Sequence, residues 1–218
     1  MKIICIDVET TGLDPKTCQL LQAAFVLVDT KDTTTPVAER PSLVVDVLHD
    51  LYVGEPYAFS MHTELLRQHD KWKREKAGAR PGTPGALTLQ DAGAGAYHVI
   101  IGKADETLPW YPNESVITGY VRTWLTTVGC TERRPTPAGK NYGTFDAQFL
   151  PESTRGLFRH RAYDPGSALV DWAQDGEVLP DLQTLMRRHI DPAYVVKHGA
   201  LEDARAVADL LLAHINGV

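Results

Sequence analysis

The sequence predicts an α/β domain, and three observations carry that expectation. Ile3 to Ile6 is an unbroken apolar run, the mark of a strand buried on both faces. Two further β-rich runs, 20–28 and 42–48, follow at short intervals, as in an antiparallel meander. Later segments switch to a 3.6-residue apolar period, most clearly at 113–129 and 199–215. The chain has 218 residues, 43% of them hydrophobic, which suits one domain carrying a long insertion.

The first strand ends by delivering Asp7 and Glu9, spaced by two. Side chains on a strand repeat every two residues, so both carboxylates point the same way. Two such acids at the end of a buried strand repel each other unless a cation lies between them, and hard oxygen ligands suit Mg²⁺ or Mn²⁺. Gly12 then permits a tight turn, and Leu13 offers an apolar side chain beside the acids. For an isolated Asp-x-Glu, two solvated acids would be the simpler reading. The acids downstream change that balance.

After the run at 20–28, the polar stretch 29–35 reads as a turn, and Val44, Val45 and Val47 mark the third strand. A helix is expected over 57–72, with Met61, Leu65 and Leu66 on one side. Its end, Lys71-Trp72-Lys73-Arg74-Glu75-Lys76 with Arg80 beyond, is the most basic patch read from the sequence. It suits either a phosphate-contacting flank with one stacking aromatic or a solvated helix end. Residues 78–95 are rich in Gly, Ala and Pro and read as a flexible insertion, around 77–110, with a hairpin through 97–101. The insertion contains neither a dinucleotide fingerprint nor a phosphate loop.

Over 113–129, Val116, Ile117, Tyr120, Val121, Trp124, Leu125 and Val128 form one apolar stripe, with Asn113 and Gly129 as caps. Trp124 belongs to that buried stripe. Residues 135–150 suit a short strand, a glycine turn and a helix start, with Asp146 in the first turn. A short helix is expected over 181–189, with Leu182, Leu185 and Met186 inward. In the last helix the stripe is Leu201, Ala204, Val207, Ala208, Leu211 and Leu212. His198 lies five residues before Asp203. That is about 500° of helical turn, so His198 belongs on a loop ended by Gly199. A loop histidine beside an acidic metal site can take a proton from water.

Three cysteines without Cys-x-x-Cys spacing imply neither a zinc site nor a disulfide framework, and fit a reducing cytoplasm. No secretory leader and no apolar run of membrane-spanning length is apparent. A net charge of −6 argues against coating nucleic acid by bulk electrostatics, but not against an enzyme acting on a short end.

Together, Asp7-Val8-Glu9-Thr10-Thr11-Gly12-Leu13, Phe145-Asp146 and His198-Gly199-Ala200-Leu201-Glu202-Asp203-Ala204 resemble the three motifs of the DEDD superfamily of 3′–5′ exonucleases, in the histidine-containing (DEDDh, DnaQ-like) branch. The motifs occur in the family's order and span nearly the whole chain. The resemblance implies a ribonuclease-H-like fold: a mixed five-stranded sheet, its first three strands antiparallel, flanked by helices. It implies that Asp7, Glu9, Asp146 and Asp203 hold two Mg²⁺ or Mn²⁺ ions and that His198 is the general base. In that scheme one ion acidifies a water, His198 removes its proton, and the second ion stabilises the leaving 3′ oxygen, releasing nucleoside 5′-monophosphates. The resemblance also implies that Thr10 and the Thr11-Gly12 backbone contact the terminal sugar and that Leu13 wedges against the last base. Phe145 would shape the pocket, with Asn141, Met61 and His62 as further substrate contacts.

Asn141 is five residues upstream of Asp146, where proofreading relatives place it four upstream; Tyr142 takes the expected position. That spacing is more similar to oligoribonuclease, as is His160-Arg161-Ala162-Tyr163-Asp164. The expected substrates are therefore 3′ ends of single-stranded DNA or RNA, or short oligonucleotides. A homodimer and a polymerase are both candidate partners, no membrane is, and the expected compartment is the cytoplasm. Two rivals are a proofreading subunit docked on a polymerase and an inactive nucleic-acid-binding module.

Overall fold

The computed structural model describes residues 1–76, 90–91, 96–101 and 114–217. The first strand, β1 (Lys2–Thr10), pairs antiparallel with β2 (Leu20–Asp29), which pairs antiparallel with β3 (Ser42–Val47). Three strands in succession thus form the expected meander. Beyond β3 lie β4 (Gln90–Asp91) and β5 (Ala96–Ile101); β5 is parallel to β3 and antiparallel to β4. On the opposite side β6 (Thr136–Ala138) runs parallel to β1. The order is β4-β5-β3-β2-β1-β6, a mixed sheet of six strands, with the two-residue β4 added to the expected five.

The α-helices among the described residues are α1 (Pro56–Met61), α2 (Thr63–Lys76), α3 (Glu114–Thr127), α4 (Asp146–Phe149), α5 (Glu152–Arg155), α6 (Pro165–Ala168), α7 (Trp172–Asp175), α8 (Leu182–His189) and α9 (Ala200–Asn216). The single helix expected over 57–72 is two helices that meet at His62. Asn113, Arg80 and most of the Gly-rich insertion lie outside the described residues.

Alternation along β1 divides the core. Ile4, Ile6 and Val8 face one side, where they pack with Phe25, Leu43, Val45 and, from α3, Val121 and Trp124. Ile3 and Cys5 face the other side, with Ala24, Val26 and Val28 from β2. That second face is covered by α9, whose Ala200, Ala204 and Ala208 let the helix approach the sheet closely. Asp7 and Glu9 continue the register of Ile3 and Cys5, so they emerge on the α9 side. This places the motif acids opposite the first turn of α9. Among the described residues, no helix is long and apolar enough to cross a membrane.

Candidate metal centre

The carboxylates of Asp7, Glu9 and Asp203 converge so that their ligand oxygens lie within 4.8 Å of one another. Asp203 occupies the first turn of α9, where its N–H bonds to the Gly199 carbonyl at 2.9 Å. Its Oδ1 is buried and has no hydrogen-bond partner among the described residues. A buried, unpartnered carboxylate oxygen facing two other carboxylates is a position that a hard cation would satisfy.

Asp146 stands beside this trio. It begins α4 and is 2% exposed. Its Oδ1 accepts the Val8 N–H at 3.0 Å. That donor is free because β6 pairs with β1 only as far as Cys5, which leaves the edge of β1 open at Val8. No described hydrogen bond reaches Asp146 Oδ2.

Burial raises every one of these acids, and repulsion from the others adds to it at Asp7 and Glu9. Burial is the largest cause for Asp7, followed by the charges of Asp146, Glu9 and Asp203, and its pKa lies well above the usual carboxylate range. Burial and then the charges of Asp203, Asp146 and Glu202 push Glu9 up to about 8. Burial pushes Asp146 to about 7 and Asp203 to about 6, the latter held down in part by His198. Four acids so raised without a cation, offering only oxygen donors, fit one or two divalent ions.

His198 is exposed and precedes α9 in the left-handed region, with φ 52. Few non-glycine residues adopt that conformation, and here it turns the chain into the helix start beside Asp203. A second histidine, His62, reaches the centre from the α1–α2 junction. Its Nε2 is 3.3 Å from Glu9 Oε2, and its buried Nδ1 has no partner among the described residues. Burial, and then the charge of His198, lowers its pKa.

The remaining expected contacts fare differently. Leu13 is 72% exposed at the turn that follows β1. The Thr10 hydroxyl donates to the Gly12 carbonyl at 2.7 Å. Thr11 is tied into the fold. Its N–H donates to Gln19, its carbonyl accepts from Glu55, and its hydroxyl donates to Val53 while accepting from Gln19. Every polar group of Thr11 thereby has a partner within the fold. Phe145 is half-buried and packs on Phe149, Met61 is 36% exposed, and Asn141 is exposed in a turn with φ 61.

The clamp on that first turn could not be read from the sequence. Glu55 Oε1 accepts the Leu13 N–H at 3.1 Å. Gly54 is pressed so closely on Thr11 that an added Cβ would lie 2.1 Å from the Thr11 carbonyl. Its signal was a lone glycine between the third strand and the next helix.

A buried polar cluster at Asp46 was also missed. Asp46 Oδ1 accepts from Gln22 Nε2 and His69 Nε2, both at 2.9 Å, and Oδ2 pairs with His98 Nε2. Burial raises its pKa, but the bonds from His69, His98 and Gln22 outweigh that and hold it below the usual carboxylate range. His69 Nδ1 in turn meets the Tyr52 hydroxyl at 3.0 Å. Trp72 packs against the His69 and His98 rings rather than standing free for a base. His62 and His69, seven residues apart, thus bring one side of the α1–α2 unit over Glu9 and Asp46. Asp46→Ala would leave three polar groups without their acceptor. It is expected to cost about 3–5 kcal/mol, read as a melting-temperature loss of roughly 10 °C. A loss below about 1 kcal/mol in urea unfolding would show the cluster to be incidental.

No family model and no curated protein matches the chain.

Proposed function

We propose that the protein is a divalent-metal-dependent 3′–5′ exonuclease with a ribonuclease-H-like fold, acting on single-stranded ends or short oligonucleotides. One observation carries this: Asp7, Glu9 and Asp203 lie within 4.8 Å of one another and include an orphaned buried oxygen. The mixed sheet with its antiparallel first three strands, and a parallel neighbour beside β1, supports the fold assignment.

Asp7, Glu9, Asp146 and Asp203 would hold the ions, which supply an acidified water and neutralise charge on the phosphate. His198, exposed and close enough for its charge to reach Asp203, would take a proton from the attacking water. His62 steadies the Glu9 carboxylate. Leu13 lies against the terminal base, where it separates that base from its neighbour. Glu9, Asp146 and Asp203 are buried, so charges in the site act at lower dielectric than in bulk water.

The direct experiment incubates the protein with 5′-labelled single strands of DNA and of RNA, with Mg²⁺ or Mn²⁺. The expected result is a ladder shortening from the 3′ end with release of nucleoside 5′-monophosphates. No shortening with either metal on either sugar would overturn the assignment.

A further inference from the structure

We infer that an arginine-lined groove along the β6 edge binds the phosphodiester backbone of single-stranded nucleic acid, upstream of the 3′ end held at the acidic centre. The direction of the strand rests on the exonuclease reading; the binding itself does not.

The groove is an open hollow of about 560 Å³ lined by Arg134, Arg155, Arg159 and His160, with the Phe158 ring among its walls and Glu152 as its one acid. A second hollow of about 510 Å³ continues it past Arg159 and His160 to Arg161. In a chain of net charge −6, this concentrates cations on one edge. Arg133, Arg134, Arg155, Arg159 and Arg161 are all exposed. Among the described residues, no ion pair engages any of the five. Unpaired arginines at this density repel one another, and a polyanion relieves that repulsion.

The backbone beneath them is held in place. The Arg159 N–H bonds to the Pro135 carbonyl and the Tyr163 N–H to the Pro137 carbonyl, so 159–163 runs beside β6 and reaches a parallel bridge between Ala138 and Tyr163. Arg159 Nε donates to the Arg134 carbonyl at 3.1 Å, which orients that guanidinium. Arg155 ends α5, which Thr118 of α3 grips through Ser153 at 2.7 Å and Thr154 at 2.8 Å. Preorganised guanidinium groups take phosphate oxygens with little ordering cost.

The row begins at the start of β6, where Thr136 pairs with Ile3, four residues along β1 from Asp7. β6 is parallel to β1, so both advance toward the end that carries Asp7 and Glu9. Burial pushes the pKa of Tyr142 up to about 12, and the charges of both Asp146 and Arg155 reach it. Cations strung along one strand edge match the repeated charges of a polymer better than one isolated phosphate. A single row matches one backbone rather than the two of a duplex.

The test is fluorescence anisotropy with a fluorescein-labelled oligo-dT and oligo-U of about 20 nucleotides, in EDTA so that nothing is cleaved. Replacing Arg134, Arg155 and Arg159 together by Gln is expected to weaken binding at least tenfold. It should also flatten the slope of log affinity against log salt by about 2, at roughly 0.7 for each phosphate no longer neutralised. Arg155→Gln with Arg159→Gln serves if the triple variant does not fold, with a slope change of about 1.4. Unchanged affinity and slope in the folded variant, or equal wild-type affinity for a duplex of the same length, would overturn the groove assignment. Binding that depends on these arginines in a protein that never shortens a strand would instead sink only the exonuclease reading.

Discussion

Asp203→Asn is expected to lower 3′–5′ cleavage by about three orders of magnitude while leaving the fold intact. Asp203 contributes one of the three converging carboxylates, and its Oδ1 has no protein partner among the described residues. Its role is therefore outward, toward a cation, and its loss breaks no described side-chain hydrogen bond. An amide keeps the shape but not the charge that a divalent ion requires. Calorimetric titration with Mn²⁺ should show a matching loss of affinity. The metal-free variant should melt no lower than the wild type, because one buried, mutually repelled acid has gone. Turnover within about tenfold of wild type would remove Asp203 from the ligand set.

Without divalent ions, thermal stability is expected to fall between about pH 5 and pH 8, and Mg²⁺ or Mn²⁺ should abolish most of that fall. Glu9 is pushed up to about 8, Asp146 to about 7 and Asp203 to about 6, and Asp7 is raised as well. Each binds its proton more tightly in the folded state than in the unfolded chain. The stability arising from that difference is complete below the unfolded carboxylate range and lost as pH rises through the folded values. For a chain of this size each kcal/mol lost lowers the melting temperature by about 2–4 °C. Bound cations replace the protons and remove the repulsion, so the metal-loaded protein should show a nearly flat profile. Melting curves in EDTA and in Mn²⁺ across this range give both slopes. Asp46 contributes in the opposite sense and lower down, since its pKa is depressed and its stabilising effect is lost only as pH falls below the carboxylate range. A metal-free profile that is flat or rises between pH 5 and 8 would contradict the repulsion inferred at the centre.

The elements legible in the sequence were those whose pattern is local. β1, β2 and β3 follow from runs of apolar and β-branched residues, and α9 from its period of small and branched apolar residues. The break at His62 was not legible, because the apolar side of the helix continues across it and the turn depends on what that helix covers. Trp72 looked free to stack because its two histidine neighbours come from different elements, His69 within α2 and His98 on β5. The commitment of Thr11 was hidden for the same reason: two of its partners, Val53 and Glu55, lie more than forty residues away.

By itself the sequence determined that two acids leave β1 on one face, that Asp146 and Asp203 sit at helix starts, and that a histidine and a glycine precede the last helix. Strand alternation and helix capping are local rules, and they sufficed for that. Only the tertiary structure decided that Asp203 meets Asp7 and Glu9 while Asp146 spends one oxygen on the Val8 N–H. It also decided that scattered arginines line one edge. Register between strands, and the height at which a helix docks on a sheet, depend on packing across the whole core, which no local pattern encodes.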